Sequence, residues 1–172
     1  STTISNGDVS VSTIEHLMSA LSGMHIDNAL ILIDGPEIPI MDGSSKPFVE
    51  LFEKAGLVKQ DEYRKILKVK KEVEVSNGDS FVKIFPSNYF SIDFEIDFGS
   101  HLINKQSCQL QLINGNYISD ISSARTFGYF KDAQKLRDKG YALGASLENA
   151  VVIGDNSILN KDGLRFKDEF VR

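Results

Sequence analysis

Phe90-Ser-Ile-Asp-Phe-Glu-Ile-Asp-Phe98 alternates apolar and polar residues without a break. Successive side chains of a strand point to opposite faces, so Phe90, Ile92, Phe94, Ile96 and Phe98 share one face while Ser91, Asp93, Glu95 and Asp97 share the other. That pattern predicts a half-buried antiparallel strand. Cys108, Leu110 and Leu112 alternate with Gln109 and Gln111 in the same way. Upstream, Val73 and Val75, then Asn77-Gly78, then Phe81 and Ile84 predict a hairpin with a type I′ turn. Downstream, residues 117–123 predict one or two helical turns, and 129–139 a helix closed by Gly140. Residues 150–153 and 157–159 read as strands flanking an Asp155-Asn156 turn, and the last residues, 165–172, as the opening of a helix.

Working back toward the N-terminus, the period changes from two to 3.6. In Ser12-Thr-Ile-Glu-His-Leu-Met-Ser-Ala-Leu-Ser-Gly-Met24, the apolar residues Ile14, Leu17, Met18, Leu21 and Met24 form one helical stripe. Ser12 with Glu15 three residues later predicts a capping box. Glu15 and His16 lie off the stripe, beside Ser12, Ser19, Ser22 and Gly23. A solvated face usually carries several charges, and this one has only Glu15, which predicts that something packs or binds closely there. Residues 28–33 form a short apolar run suited to a buried strand, and 38–43 a proline- and glycine-punctuated extended segment. Ser44 or Ser45 is placed to cap a second helix over 47–55, with Phe48, Leu51 and Phe52 inward and Gly56 ending it. The polar stretch 60–65 reads as a linker. Strands grouped with helices in this order give an α+β fold class.

A chain of 172 residues with 41% hydrophobic and 25% charged residues is long enough to bury a real core. A net charge of −5 argues against a nucleic-acid surface, which needs a basic excess. It leaves room for an anionic small molecule held by local lysines or backbone N–H groups. Cys108 is the lone cysteine, so no internal disulfide forms and a reducing compartment is the simplest home. No apolar run approaches the ~20 residues of a membrane span, and the expected location is cytoplasmic. Both ends read as interior to a longer chain.

Taken in order, Thr13-Ile-Glu-His-Leu17, Pro36-Glu-Ile-Pro-Ile-Met-Asp-Gly-Ser44, Ile96-Asp-Phe98, Ala124-Arg-Thr-Phe-Gly128 and Asn160-Lys-Asp-Gly-Leu-Arg-Phe-Lys-Asp-Glu-Phe-Val-Arg172 resemble the UDP-3-O-acyl-N-acetylglucosamine deacetylases of lipid A synthesis. The resemblance spans essentially the whole chain. It implies two layered sheet-and-helix domains of a β-α-α-β sandwich type, the first incomplete, divided as 1–60 and 61–172 with a small insert around 129–153. It implies a zinc-dependent amidohydrolase of a Gram-negative type bacterium, acting on a UDP-linked acylated glucosamine. His16 matches a zinc ligand and Glu15 the general base, with the remaining zinc ligands expected beyond Arg172, so the chain alone is expected to be inactive and to bind zinc weakly. Thr126 matches the hydroxyl that stabilises the oxyanion. Asp97 and Phe98 match a pair near the nucleotide, Phe127 borders the acetyl and acyl path, and Leu143, Gly144, Ala145 and Ser146 fall where the family forms an apolar acyl passage.

Each assignment has a plainer competitor. Glu15 can simply cap its helix while His16 serves as an ordinary hydrogen-bonded residue. Thr126 can be a strand or turn threonine satisfied by backbone, Phe98 the last inward residue of its strand, and Gly144-Ala-Ser146 a plain loop. The family often carries a diphosphate-binding lysine near position 80, where this chain has Ser80; the expected alternatives are Lys83 as a substitute or lysines beyond Arg172. His25 and His101 match no catalytic position. A second functional reading is a non-catalytic binding or structural module on the same fold, because fold alone does not decide function.

Overall fold

The computed structural model describes residues 1–172 except His101 and Asn114. The chain opens with a hairpin, β1 (Thr3–Asn6) and β2 (Val9–Ser12), followed by helix α1 (Glu15–Gly23) and helix α2 (Lys46–Ala55). A second hairpin joins β3 (Val73–Asn77) to β4 (Ser80–Ile84), and a third joins β5 (Ser91–Ile96) to β6 (Gln106–Gln111). Then come the short helix α3 (Asn116–Asp120), strand β7 (Phe127–Tyr129), helix α4 (Phe130–Asp138), strand β8 (Val151–Ile153) and one 3-10 turn, Glu169–Val171. The class is α+β. Among the described residues the strands pair only in twos, three pairs antiparallel and β7–β8 parallel.

The β5–β6 register follows from the alternation that predicted it. Ile92 lies opposite Leu110 and Phe94 opposite Cys108, so both apolar sets fall on one face. The β3–β4 hairpin also forms, but its turn is displaced by one residue. Asn77 pairs with Ser80, leaving Gly78-Asp79 as the loop, and only Gly78 (φ +59°) adopts positive φ. Glycine at the first central position is the type II′ pattern, not the expected type I′.

Other expectations need correction. Ser12 does not cap α1: it ends β2, and its hydroxyl donates to the Pro36 carbonyl at 3.3 Å. The helix instead starts at Glu15, whose carboxylate accepts the Thr2 N–H at 2.9 Å. The ladder drew Ser12 away from the cap, since a bridge to Glu37 holds it beside the 36–38 segment. Ser45 makes no cap bond at the start of α2, while Ser44 Oγ accepts the Lys46 N–H at 3.3 Å. Residues 28–33 form no strand; Leu30 and Leu32 are 86% and 85% exposed. A strand needs a ladder partner, and among the described residues none lies alongside. Met18 and Leu51 prove exposed, while Val49, not predicted inward, is buried. Residues 165–172, expected to open a helix, make a single 3-10 turn, Glu169–Val171.

Two cores result. Leu17, Ala20 and Leu21 of α1 pack with Ile38, Phe48, Val49 and Tyr117, so α1, α2 and α3 share the first. Ile103, Val151, Ile153 and Phe170 make the second, with Phe127 and Tyr129 against it. The loop before α2 meets the segment before β8 closely enough to require glycine. Gly43 has φ +82°, and a Cβ there would fall 2.1 Å from the Asn149 carbonyl oxygen. Gly43→Ala is therefore expected to cost about 2 kcal/mol of stability, from overpacking and left-handed strain together. A melting temperature equal to that of the unmodified protein would contradict this.

Candidate active site

A cavity of about 550 Å³ lies between α1 and the apolar face of β5–β6. One wall is Phe90, Ile92 and Phe94 with Cys108, Leu110 and Leu112; the opposite wall is His16, Ser19, Ser22 and Gly23. The remainder comes from Tyr117, the 124–127 turn and the 169–172 segment. The strand face expected to be half-buried is instead largely exposed, with Phe90, Ile92 and Phe94 open to the cleft that they line.

The uncharged face of α1 does have a close neighbour. The Tyr117 ring lies against it, and a Cβ on Gly23 would sit 2.2 Å from that ring. The Tyr117 hydroxyl is within 2.7 Å of Ser19 Oγ and 2.6 Å of Ser45 Oγ, and Ser45 donates on to the Ser122 carbonyl at 3.0 Å. The small residues therefore serve a tyrosine that bridges three helices. Sequence reading anticipated the contact but not its partner, 94 positions beyond Gly23.

His16 is half-buried, and its Nδ1 is buried without a hydrogen-bond partner. Burial pushes its pKa below the ordinary histidine value, while the negative charges of Glu15 and Asp42 pull weakly the other way. The ring is thus neutral near pH 7, the form that binds metal. A buried nitrogen lacking a partner, in the field of two carboxylates, fits a cation ligand. Among the described residues no three His, Cys, Asp or Glu side chains converge to hold a metal ion.

Thr126 lines the same cavity, and its side chain is exposed to it. Its backbone is fully engaged: the N–H donates to the Gly43 carbonyl at 2.7 Å, and its carbonyl accepts the Val151 N–H at 2.8 Å. Phe127 also lines the cavity, stacked edge-on to Phe170 at 5.0 Å and to Phe98 at 5.7 Å. Phe98 is half exposed and reaches the cavity wall only through Phe127. Asp97 accepts the Gly99 N–H at 2.9 Å and shapes the turn after β5.

Leu143, Gly144, Ala145 and Ser146 do not line the cavity; they form the loop between α4 and β8. Asn149 organises that loop, donating to the Gly144 carbonyl and accepting the Ser146 N–H. Lys83 is tied to Glu72 and Glu74 at 3.0 and 3.2 Å on the β3–β4 hairpin. His25 follows α1, its N–H donating to the Ser22 carbonyl at 3.1 Å, and it does not line this cavity. His101 lies outside the described residues.

Two carboxylates escaped the sequence reading. Asp42 accepts from Ser44 and, at 2.8 Å, from Arg165. Glu169 is 2% exposed and bridges to Arg125 at 2.9 Å. Both sit inside the recognisable motifs, but nothing local distinguishes them from surface acids. For each, burial would raise the pKa, yet the hydrogen bonds and charge of Arg165 (with Ser44) and of Arg125 (with the Arg165 N–H) hold it below its ordinary value. A carboxylate depressed in the folded state contributes stability above its unfolded pKa and loses it as pH falls through the folded one. The melting temperature is therefore expected to drop as pH falls below the ordinary values of 4.5 for Glu169 and 3.8 for Asp42. A melting temperature that rises through that window would exclude this linkage.

The family model for UDP-3-O-acyl N-acetylglycosamine deacetylase (LpxC) matches residues 1–172. The UDP-3-O-acyl-N-acetylglucosamine deacetylase of Geobacter sp. (strain M21) is 52% identical over 172 residues, covering 100% of this chain and 56% of that protein. That of Syntrophus aciditrophicus (strain SB) is 49% identical over 171 residues, 99% of this chain and 54% of its own length. The Cellvibrio japonicus (strain Ueda107) protein of the same name is 45% identical over 174 residues, again 100% of this chain and 57% of its own. The chain spans little more than half the length of these relatives. Matched from its first residue to its last, it belongs to the UDP-3-O-acyl N-acetylglycosamine deacetylase family.

Proposed function

We propose that the complete protein removes the acetyl group of a UDP-3-O-acyl-N-acetylglucosamine by zinc-dependent hydrolysis, in lipid A synthesis, and that this chain carries part of the site. The observation that carries the reading is the cavity shared by His16 and Thr126, with the orphaned His16 nitrogen at one side and an apolar wall at the other. Zinc held by three protein ligands keeps an open position and lowers the pKa of bound water to about 7. His16 would be one of those ligands, with the others contributed by the part of the relatives' length that this chain does not span. Glu15, next to His16 on α1, does not line the cavity and accepts the Thr2 N–H through Oε2; in this proposal its carboxylate would take the proton of the attacking water as the carbon–oxygen bond forms. The Thr126 hydroxyl donates to the carbonyl oxygen as negative charge develops there, and its pinned backbone keeps that donor in place before the substrate arrives.

Substrate contacts follow with less of the chain involved. Phe127 borders the acetyl group and the acyl chain, and Phe98 offers a half-exposed ring for the uracil with Asp97 beside it. Leu143, Gly144, Ala145 and Ser146 would guide the acyl chain only where it leaves the cavity, because they do not line it. Lys83 is a poor diphosphate ligand while two glutamates hold it. The division at residues 60–61, the insert around 129–153 and the layered sandwich architecture belong to the same proposal, as does a cytoplasmic location. No helix among the described residues is long and apolar enough to cross a membrane.

The test is acetate release from a synthetic UDP-3-O-acyl-N-acetylglucosamine by the complete protein, with and without a chelator. Expected are turnover, its loss on chelation and its recovery on adding zinc. Turnover that survives exhaustive chelation would remove the metal from the proposal. Tight substrate binding without any hydrolysis would leave a non-catalytic module.

A further inference from the structure

Glu169 lies in the 3-10 turn, and its side chain is wholly buried against that of Arg125, 8% exposed. Four donors converge on its carboxylate. Oε1 accepts the Arg125 backbone N–H at 3.0 Å and Arg125 Nε at 2.9 Å; Oε2 accepts Arg125 Nη2 at 3.1 Å and the Arg165 backbone N–H at 2.6 Å. Arg125 Nη2 also donates to the Gly163 carbonyl at 2.8 Å.

A buried ion pair is a costly way to hold two segments together. Apolar residues of similar volume are often as stable or more so, because both charges must be stripped of water. What the pair adds is direction: a two-pronged guanidinium–carboxylate contact fixes orientation as well as distance. Here the carboxylate also grips the Arg125 backbone N–H, so it fixes both the side chain and the Ala124–Arg125 peptide of the residue that precedes Thr126. Gly43 and Val151 hold the Thr126 backbone from two other directions. Only its side chain is left free, in the cavity that also contains His16.

We propose that Glu169, acting through Arg125, is the positioning residue that fixes the Thr126 hydroxyl in the cavity it shares with His16. The inference rests on the deacetylase reading, in which Thr126 is the oxyanion donor. It deepens that reading by assigning a role to a carboxylate whose two oxygens are both occupied by donors of Arg125 and Arg165. Loss of the Glu169 anchor frees Arg125 to shift against the Gly43 and Val151 bonds that hold the next residue, and a misplacement of the Thr126 hydroxyl of about 1 Å can cost about 10²-fold in rate.

The experiment uses the complete protein and UDP-3-O-acyl-N-acetylglucosamine. Glu169→Asp keeps the charge but withdraws the carboxylate by one methylene, and Arg125→Lys keeps the charge but loses the fork. Each is made alone and together with Thr126→Ala, and kcat, KM and melting temperature are measured. Expected for each single variant is a folded protein with kcat lowered by about 10²-fold and KM changed by less than about threefold. In the Thr126→Ala background neither change lowers kcat further, because the group it positions is gone.

Losses that are equal in both backgrounds, or that track the folded fraction, would overturn the inference. So would wild-type kcat in a folded Glu169→Asp protein. If neither variant folds, the pair is a folding element and the positioning role falls. In all these cases a slow Thr126→Ala enzyme leaves the deacetylase reading standing. An inactive unmodified protein, or a Thr126→Ala variant at full rate, overturns that reading and this inference with it.

Discussion

His16→Ala in the complete protein is expected to abolish stoichiometric zinc and, with it, deacetylation. The imidazole sits in the first turn of α1, half-buried at the wall of the cavity. Burial keeps it neutral near pH 7, so no proton has to leave before a metal binds. Its Nδ1 has no hydrogen-bond partner, so truncation strands no buried donor or acceptor on that atom. The fold should therefore survive, which separates loss of metal from loss of structure. Metal content after dialysis, kcat and melting temperature measured on one preparation decide the matter. Full zinc occupancy with normal turnover would refute the ligand role.

Glu15→Gln is expected to leave zinc bound while turnover falls by about 10²–10⁴-fold, the usual range for a lost general base. Glutamine is the informative substitution here. Its carbonyl oxygen can still accept the Thr2 N–H that Glu15 accepts at 2.9 Å, so the start of α1 keeps its anchor. It cannot take a proton from water. The Glu15 charge is also one of the two that raise the His16 pKa, so its removal makes the imidazole less basic and still neutral at pH 7. Retained metal with slow chemistry is therefore the signature. Turnover within about tenfold of the unmodified protein would reassign the base.

Local features were the most legible part of this chain. The alternation of 90–98 and the Asn77-Gly78 signal both led to hairpins, because strand period and turn chemistry are decided over a few neighbouring residues. The stripe in α1 and the glycine after α2 were readable for the same reason. Where reading failed, a distant segment had outbid the local rule. Ser12 looks like a cap, but a ladder to Glu37 takes it. Residues 28–33 look like a buried strand, yet no described segment pairs with them. Strand β7 escaped notice because its three residues find their partner at Val151–Ile153.

The site divides along the same line. His16, Glu15, Thr126 and Phe127 could be singled out from motifs, and their side of the chemistry follows from residue type: an imidazole donates a lone pair, a carboxylate takes a proton, a hydroxyl donates one. Sequence by itself determined those identities and the amphipathic elements that carry them. That His16 and Thr126 face one cavity, that Tyr117 closes against Gly23, and that Glu169 grips Arg125 were decided only by the tertiary structure. The physical reason is that burial sets these properties. An acid on the chain reads the same whether water or a guanidinium surrounds it, and only packing of segments 44 residues apart removes the water that would otherwise screen the Glu169–Arg125 pair.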